Sequence, residues 1–194
     1  MSDIWKNLLT NISRFRKERS GVGAVEFALI APVLILVYVG SLEISVAMAV
    51  NKKISRASSS IADLVTQQTT VDKKYLKTMV DVAESVIAPF SINGLKVVVT
   101  GINVDSSSNA TVVWSWNENN GQPYAVGSAI TIPDQLKIAS TFLVRTEVKM
   151  NHELMLILPG LDGVDAKTLT MDKTYHLRQR IGDSVTCSNC GQSS

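Results

Sequence analysis

Motifs for the common kinds of catalysis and nucleotide binding are absent from this 194-residue chain. It contains no G-x-S-x-G segment, with which an α/β-hydrolase presents its serine nucleophile. It also contains neither the G-x-x-x-x-G-K-[ST] loop that cradles phosphates nor the G-x-G-x-x-G turn of dinucleotide-binding folds. We therefore expect a protein that is not an enzyme and that carries no cofactor.

The chain also lacks a large excess of positive or negative charge. The chain has 19 Lys and Arg against 17 Asp and Glu, a formal net charge of +2 at pH 7. Domains that bind nucleic acid usually present a strongly basic face. Nucleic acid is therefore not an expected partner.

Potential metal ligands of the cysteine and histidine type are few, with two of each. Cys187 and Cys190 lie close together near the C-terminus, and such a pair in an exported protein is typical of a disulfide. His152 and His176 would complete a set of four zinc ligands, but their spacing matches no common zinc site. We predict a Cys187–Cys190 disulfide and no metal, and zinc is the alternative.

A long apolar run stands near the N-terminus. Between Val22 and Val50 only Glu26 and Glu43 are charged. A helix needs about 20 mostly apolar residues to cross a bilayer, and the two carboxylates would lie about 25 Å apart along its axis. Both can then sit near opposite interfaces. The sequence predicts one transmembrane helix over residues 22–50.

The flanking charges predict the orientation of this helix. Residues 1–21 are rich in Lys and Arg, and cytoplasmic flanks of membrane helices carry such an excess. The basic residues are Lys6, Arg14, Arg16, Lys17 and Arg19. We expect a cytoplasmic N-terminus, one membrane pass, and a remainder on the opposite side of the membrane.

Three interpretations of the N-terminus compete. Ala47-Met48-Ala49 offers an A-x-A site for an ordinary signal peptidase, although the apolar run is longer than the usual 7–15 residues or so. A plain signal anchor explains length and orientation, but it explains neither Gly21 nor Glu26. A prepilin-type leader, cut after Gly21 with the apolar segment retained, gives both residues a role.

Cleavage after Gly21 has a chemical rationale. Glycine lets a peptidase approach the backbone closely because it has no side chain. The cut would leave a free amine on Val22, and Glu26 would follow one helical turn later. The carboxylate could then pair with that amine, or with the amine of a neighbouring subunit, which would offset the burial of both charges.

Residues 20–50 resemble the TadE/TadG-like family, the minor pilin-like components (pseudopilins) of tight-adherence (Tad, or Flp) pilus systems. The resemblance rests on the run Gly21-Val22-Gly23-Ala24-Val25-Glu26-Phe27-Ala28-Leu29-Ile30-Ala31-Pro32-Val33 after a basic leader. It implies that Gly21 is the last leader residue, that Val22 is the first mature residue, and that Glu26 is the family's fifth-position glutamate. Glu26 and Phe27 are the residues we associate with assembly.

The same resemblance implies a set of partners. They are a prepilin peptidase, other minor pilins, the major Flp pilin and the inner-membrane Tad assembly platform, besides the lipid bilayer. A role in cell adhesion follows from the pilus. An unprocessed, membrane-anchored periplasmic binding module is the alternative, and a secreted metal or redox protein released after Ala49 is a third hypothesis.

The segment after the membrane run begins with helical patterns. Apolar residues keep helical spacing through residues 51–68, so the first helix is expected to continue beyond the bilayer. Residues 72–88 carry a second apolar stripe, with Asp72 as a candidate N-cap and Pro89 as the end signal.

Beyond residue 94 the pattern alternates, which is typical of strands. Helices followed by strands predict an α+β fold with an antiparallel sheet, in which a long N-terminal helix joins a pilin-like head. Trp114 and Trp116 share one face of a strand and are expected in the core. The expected segments are a leader (1–21), a membrane helix (22–50), an α+β domain (51–186) and a cysteine-containing tail (187–194).

Overall fold

The computed structural model describes residues 21–154 and 168–190 of the chain. It divides into two compact units, Met1–Ile44 and Ser45–Ser194. Most of the expected leader and the last four residues of the expected tail lie outside the described residues.

The first unit contains the beginning of helix α1, which spans Val22–Thr66. By length and composition α1 is the one helix among the described residues that could cross a membrane, and its apolar window is not buried at all. Leu29 and Phe27 are among its exposed apolar side chains. Such a surface suits a lipid environment, which agrees with the predicted membrane helix.

The second unit contains the rest of α1. Burial begins at Val50 and then follows the helical period. The buried residues are Val50, Ile54, Ala57, Ser58, Ile61, Ala62, Val65 and Thr66. The continuation that the sequence predicts is confirmed, and the helix ends at Thr66 rather than at Gln68.

Helix α2 spans Lys73–Ile87, as its two end signals predict. The Asp72 side chain accepts a hydrogen bond from the Tyr75 backbone N–H at 2.6 Å, which satisfies one of the donors left free in the first turn. The helix stops two residues before Pro89, whose ring disfavours a helical residue before it. Its buried side chains are Leu76, Met79, Ala83 and Ile87.

The second unit also holds a four-stranded antiparallel sheet in the order β3-β2-β4-β5. Its strands are β2 (Lys96–Val104), β3 (Ala110–Asn117), β4 (Thr141–Glu153) and β5 (Thr168–Arg178). A 3₁₀ turn, Asp134–Leu136, lies in the long connection between β3 and β4. The predicted α+β class with an antiparallel sheet is confirmed.

The helices pack against one face of the sheet and form the larger of two hydrophobic cores with it. Trp114 and Trp116 belong to it, with 3% and 0% of their surfaces exposed, so the prediction that they are core residues is confirmed. A smaller cluster lies on the other face of the sheet. It joins Ile102, Val104, Ala110, Leu143 and Ile132.

The sequence gives no signal for a second, two-stranded sheet. Strand β1 (Thr70–Val71) pairs in parallel with β6 (Thr186–Cys187). Strands of two residues are too short to show alternation, and their pairing joins distant parts of the chain. This pairing brings the C-terminal cysteine segment back to the residues between α1 and α2.

Candidate functional site

Gly21 and Val22 are the first described residues of the chain, and α1 begins at Val22. The Val25 backbone N–H donates to the Gly21 carbonyl at 3.1 Å, so Gly21 contributes to the first turn of the helix. Both residues are exposed, and a Cβ atom added to Gly21 would meet nothing within 4 Å. Other residues of the described part of the protein therefore do not cover the bond between Gly21 and Val22.

Glu26 lies one helical turn after Val22, on a helix whose first turn contains no acidic residue. Its side chain is exposed, and no ion pair joins it to another residue of the described segments. The neighbouring Phe27 is 69% exposed. Glu26 is thus available for an amine of its own chain or of another subunit.

The rival processing site lies within α1. Ala47, Met48 and Ala49 are all helical, and Val50 directly after them is fully buried. Ala47 is partly buried and packs against the larger core. A cut after Ala49 would therefore divide the helix at the point where its burial begins.

The structure joins Cys187 and Cys190 by a disulfide. Cys190 is almost completely buried in the larger core, and Cys187 packs against it. The carbonyl of Val185 accepts a buried hydrogen bond from Trp114 Nε1 at 2.7 Å. The described part of the cysteine segment is consequently packed into the second unit.

The structure does not bring the two histidines together. His176 lies opposite Arg145 of β4, whereas His152 is itself a β4 residue opposite Leu169. Position 145, which faces His176, and position 152 are about 23 Å apart along β4, at roughly 3.3 Å per residue. The described residues hold no group of three or more His, Cys, Asp or Glu that could bind a metal ion.

The sheet face opposite the helices carries a cluster of polar and charged groups. The Arg145 guanidinium pairs with the Glu147 carboxylate at 2.6 Å, and both side chains are largely buried. Tyr124, from the β3–β4 connection, donates its hydroxyl to Glu147 at 2.9 Å. The Arg145 guanidinium carbon also lies 5.3 Å from the centre of the Tyr124 ring.

His176 of β5 also belongs to this cluster, because it lies directly opposite Arg145 of β4. Burial lowers the pKa of His176, and the positive charge of Arg145 lowers it further, although Glu147 opposes the effect. Burial is also the main cause that raises the pKa of Tyr124, with Glu147 adding to it. Alternation along β4 predicts that Arg145 and Glu147 share one face of the strand. No sequence pattern predicts that Tyr124, which lies in a loop, joins them.

The lowered pKa of His176 predicts that stability falls in mild acid. The unfolded chain takes up a proton near pH 6.5, before the folded chain does, so the free energy of unfolding decreases as pH falls through about 6.5 and levels off below the folded-state pKa. Denaturant unfolding of the full chain in detergent, from about pH 7.5 to about pH 5.5, measures this decrease. In His176→Gln the decrease should be smaller, with His152→Gln as the control. An identical decrease in His176→Gln and in the wild type would contradict the assignment.

The N-terminal part of the chain is similar to a known protein family. A family model described as TadE-like protein matches residues 21–63, which include Gly21, Val22, Glu26, Phe27 and the beginning of burial on α1. Searches of curated proteins and of solved structures give no match. Over residues 21–63 this chain is therefore similar to TadE-like proteins.

Proposed function

We propose that the protein is a minor pilin-like structural component of a Tad/Flp-type adhesion pilus, cut by a prepilin peptidase after Gly21. The match of residues 21–63 to the TadE-like family model associates it with the Tad pilus system. The observation that carries the proposal is an exposed Gly21–Val22 bond at the start of an apolar helix, with a free carboxylate at Glu26 one turn later. In this role the protein is a peptidase substrate and an assembly subunit.

The folded chain gives no reason of its own for glycine at position 21. Gly21 is absent from the residues with a positive φ, and its Cβ position is open. A side chain there would thus meet no obstacle within the described part of the protein. A peptidase that must approach this backbone closely would give glycine a role at position 21.

The arrangement of α1 also weighs against release after Ala49. Residues on both sides of that site belong to one helix, and Val50 is part of the core. A signal peptidase would have to open this helix, and the exported domain would begin with a severed core element. Retention of the apolar segment is the simpler arrangement.

The proposed partners follow from the system to which the family belongs. A prepilin peptidase would remove the leader, and the inner-membrane Tad assembly platform would receive the processed subunit. Other minor pilins and the major Flp pilin would pack against its exposed apolar helix. Before assembly the same helix would be held in the inner membrane, with the α+β unit in the periplasm.

N-terminal sequencing tests the proposal directly. The full chain is coexpressed with its cognate prepilin peptidase, purified from membranes and sequenced. We expect Val22 as the first residue. An intact leader would favour the unprocessed membrane-anchored module, and Val50 as the first residue would favour secretion, so either result would overturn the proposal.

A matched pair of variants shows whether position 21 is specific. Gly21→Val places a branched side chain beside the scissile bond and should abolish cleavage. Gly23→Val makes the same change at another position where a Cβ atom is unobstructed, and it should leave cleavage after residue 21 intact. Equal cleavage of both variants would contradict a requirement for glycine at the cut.

A further inference from the structure

The four-stranded sheet ends at β3 on one side and at β5 on the other. The connection between β3 and β4 covers part of the β3 edge. The Val112 backbone N–H donates to the Ser128 carbonyl at 3.0 Å, and the Gly127 N–H donates to the Val112 carbonyl at 2.8 Å. The Ile130 N–H donates to the Ala110 carbonyl at 3.1 Å. Backbone groups at the β3 edge thus have partners within the second unit.

The hydrogen bonds beside β5 show which of its backbone groups point away from the sheet. The Gln179 N–H, directly after β5, donates to the Phe142 carbonyl at 3.1 Å, so position 179 faces β4. This direction alternates along an antiparallel strand, so the even-numbered positions of β5 point outward. The Arg180 N–H agrees with the alternation, because it donates to the Thr66 carbonyl of α1 at 3.2 Å. Among the described residues, none pairs its backbone with the outward groups of β5.

The β5 edge lacks the features that usually prevent pairing with another chain. The strand spans Thr168–Arg178 and contains no proline. It pairs with β4 without a register shift, whereas the pairing of β2 with β3 shifts between Gly101 and Ile102. Leu169 and Tyr175 are apolar side chains on β5 with 43% and 41% of their surfaces exposed. A long, regular and exposed edge of this kind is a template for strand addition.

The two faces of β5 restrict how a second copy of the strand can lie beside it. Met171 belongs to the larger core, so odd-numbered side chains lie on the helix side of the sheet. His176 lies opposite Arg145, on the other face. Two antiparallel copies related by a two-fold axis keep each face continuous only if odd positions face odd ones and even positions face even ones. One residue at the axis then lies opposite its own counterpart.

The charges of β5 select among the possible axes. An axis at Asp172 or at Lys173 would place like charges directly opposite each other, which is unfavourable. An axis at Thr174 places no like charges opposite each other. Its opposing pairs are Thr170 with Arg178, Met171 with Leu177, Asp172 with His176, and Lys173 with Tyr175.

The end of α1 limits the length of an added strand. The Arg180 N–H is already bonded to Thr66, so outward pairing ends at Arg178. With the axis at Thr174 the pairing covers residues 170–178, roughly 27 Å of each edge. An axis at Tyr175 would shorten it to residues 172–178. The Thr174 axis therefore gives the longest pairing without opposing like charges.

We propose that β5 pairs with β5 of a second copy of this chain, antiparallel about a two-fold axis at Thr174, so that the two sheets become one. The pairing adds about ten backbone hydrogen bonds, because each outward N–H and carbonyl gains a partner. It uses the β5 edge of both copies, so association stops at a dimer. The inference concerns the second unit alone and does not rest on cleavage after Gly21.

Cysteine cross-linking tests the position of the axis. In a hydrogen-bonded antiparallel pair the Cα atoms lie about 5.5 Å apart, a distance that a disulfide spans. Thr174→Cys should therefore form an intermolecular disulfide when the full chain is mildly oxidised in detergent. Thr170→Cys is the matched control, because Thr170 is also exposed and lies on the same face, but roughly 27 Å from its counterpart. The native cysteines are joined to each other, so the wild type should give no disulfide-linked dimer.

We expect at least about tenfold more cross-linked dimer from Thr174→Cys than from Thr170→Cys. A mixture of Thr170→Cys and Arg178→Cys chains should cross-link again, because these positions face each other about the same axis. Equal yields from the two single variants, or no dimer from Thr174→Cys, would overturn the proposal. Cross-linking of Thr174→Cys in native membranes to a different protein, and not to a second copy, would also overturn it.

A proline at the axis provides a second test. Thr174→Pro removes an outward N–H and leaves the hydrogen bonds to β4 in place, as edge strands tolerate. The variant should sediment as a monomer in detergent, whereas the wild type sediments as a dimer, and its circular dichroism should stay that of the folded chain. A folded Thr174→Pro variant that remains dimeric would contradict the pairing. If the variant does not fold, the cross-linking pattern alone decides.

Discussion

Replacing Glu26 by alanine should leave the protein cleaved after Gly21 but absent from assembled pili. The carboxylate is not adjacent to the scissile bond, and its removal leaves Gly21 and the helix start unchanged. Under the proposed function, cleavage would create a positive amine on Val22 at the start of an apolar helix. Without Glu26 that amine loses its partner within the subunit or between subunits.

The direction of this effect follows from the proposed assembly. Packing of the apolar helices of neighbouring subunits would bury the amine, and without Glu26 that charge would be left unpaired. We therefore expect a strongly reduced amount of the variant in assembled pili. The measurement is immunodetection of the protein in sheared pilus fractions, with total membrane protein as the reference for expression.

The second carboxylate of α1 provides the control. Glu43→Ala removes the same charge from the same apolar run, far from the amine, and should still be incorporated. Glu26→Asp keeps the charge at the first position and should recover part of the incorporation. Normal incorporation of Glu26→Ala, or equal loss in Glu26→Ala and Glu43→Ala, would remove the role we give to Glu26.

Replacing Gly101 by valine should strongly destabilise the second unit. A Cβ atom at this position would lie 2.4 Å from Trp114 Nε1 and 2.8 Å from Phe142 Cζ. Both rings are in the larger core and cannot move away without displacing other core residues. Inserting atoms into such packing costs about 1–3 kcal/mol or more.

The clash would also break a buried hydrogen bond. Trp114 Nε1 donates to the Val185 carbonyl, which holds the C-terminal segment on the core. A buried carbonyl or N–H group that loses its partner costs about another 1–3 kcal/mol. Domains are stable by only about 5–15 kcal/mol, so the two losses together remove much of the total. Thermal unfolding of the full chain in detergent, followed by circular dichroism, measures the change.

A double-mutant cycle distinguishes this clash from a general effect of the substitution. Trp114→Leu alone leaves a cavity and should be strongly destabilising. Adding Gly101→Ala to Trp114→Leu should cost less than Gly101→Ala costs in the wild type, because the ring that it meets has been removed. Additive losses of stability would mean that the two positions do not interact as the structure places them.

Sequence and structure agree most closely where an element depends on neighbouring residues. Asp72 and Pro89 delimit α2 because capping and proline exclusion act within one helical turn. The membrane helix is evident from one apolar run. Alternating residues indicate β4 as far as Met150, and the strand ends three residues later. Pairing with the first residues of β5, which the sequence does not reveal, accounts for this extension.

The sequence by itself determined the two helices, the α+β class and the Gly21–Glu26 arrangement, since residue spacing and proximity along the chain are sufficient for these. Only the tertiary structure decided the strand order, the β1–β6 pairing that packs the cysteine segment, and the contact of Gly101 with Trp114. It also brought Tyr124 onto Arg145 and placed residues 88–95 beside Lys53. These features depend on contacts between residues far apart in the chain, whose pairing is set by packing and which no local pattern records.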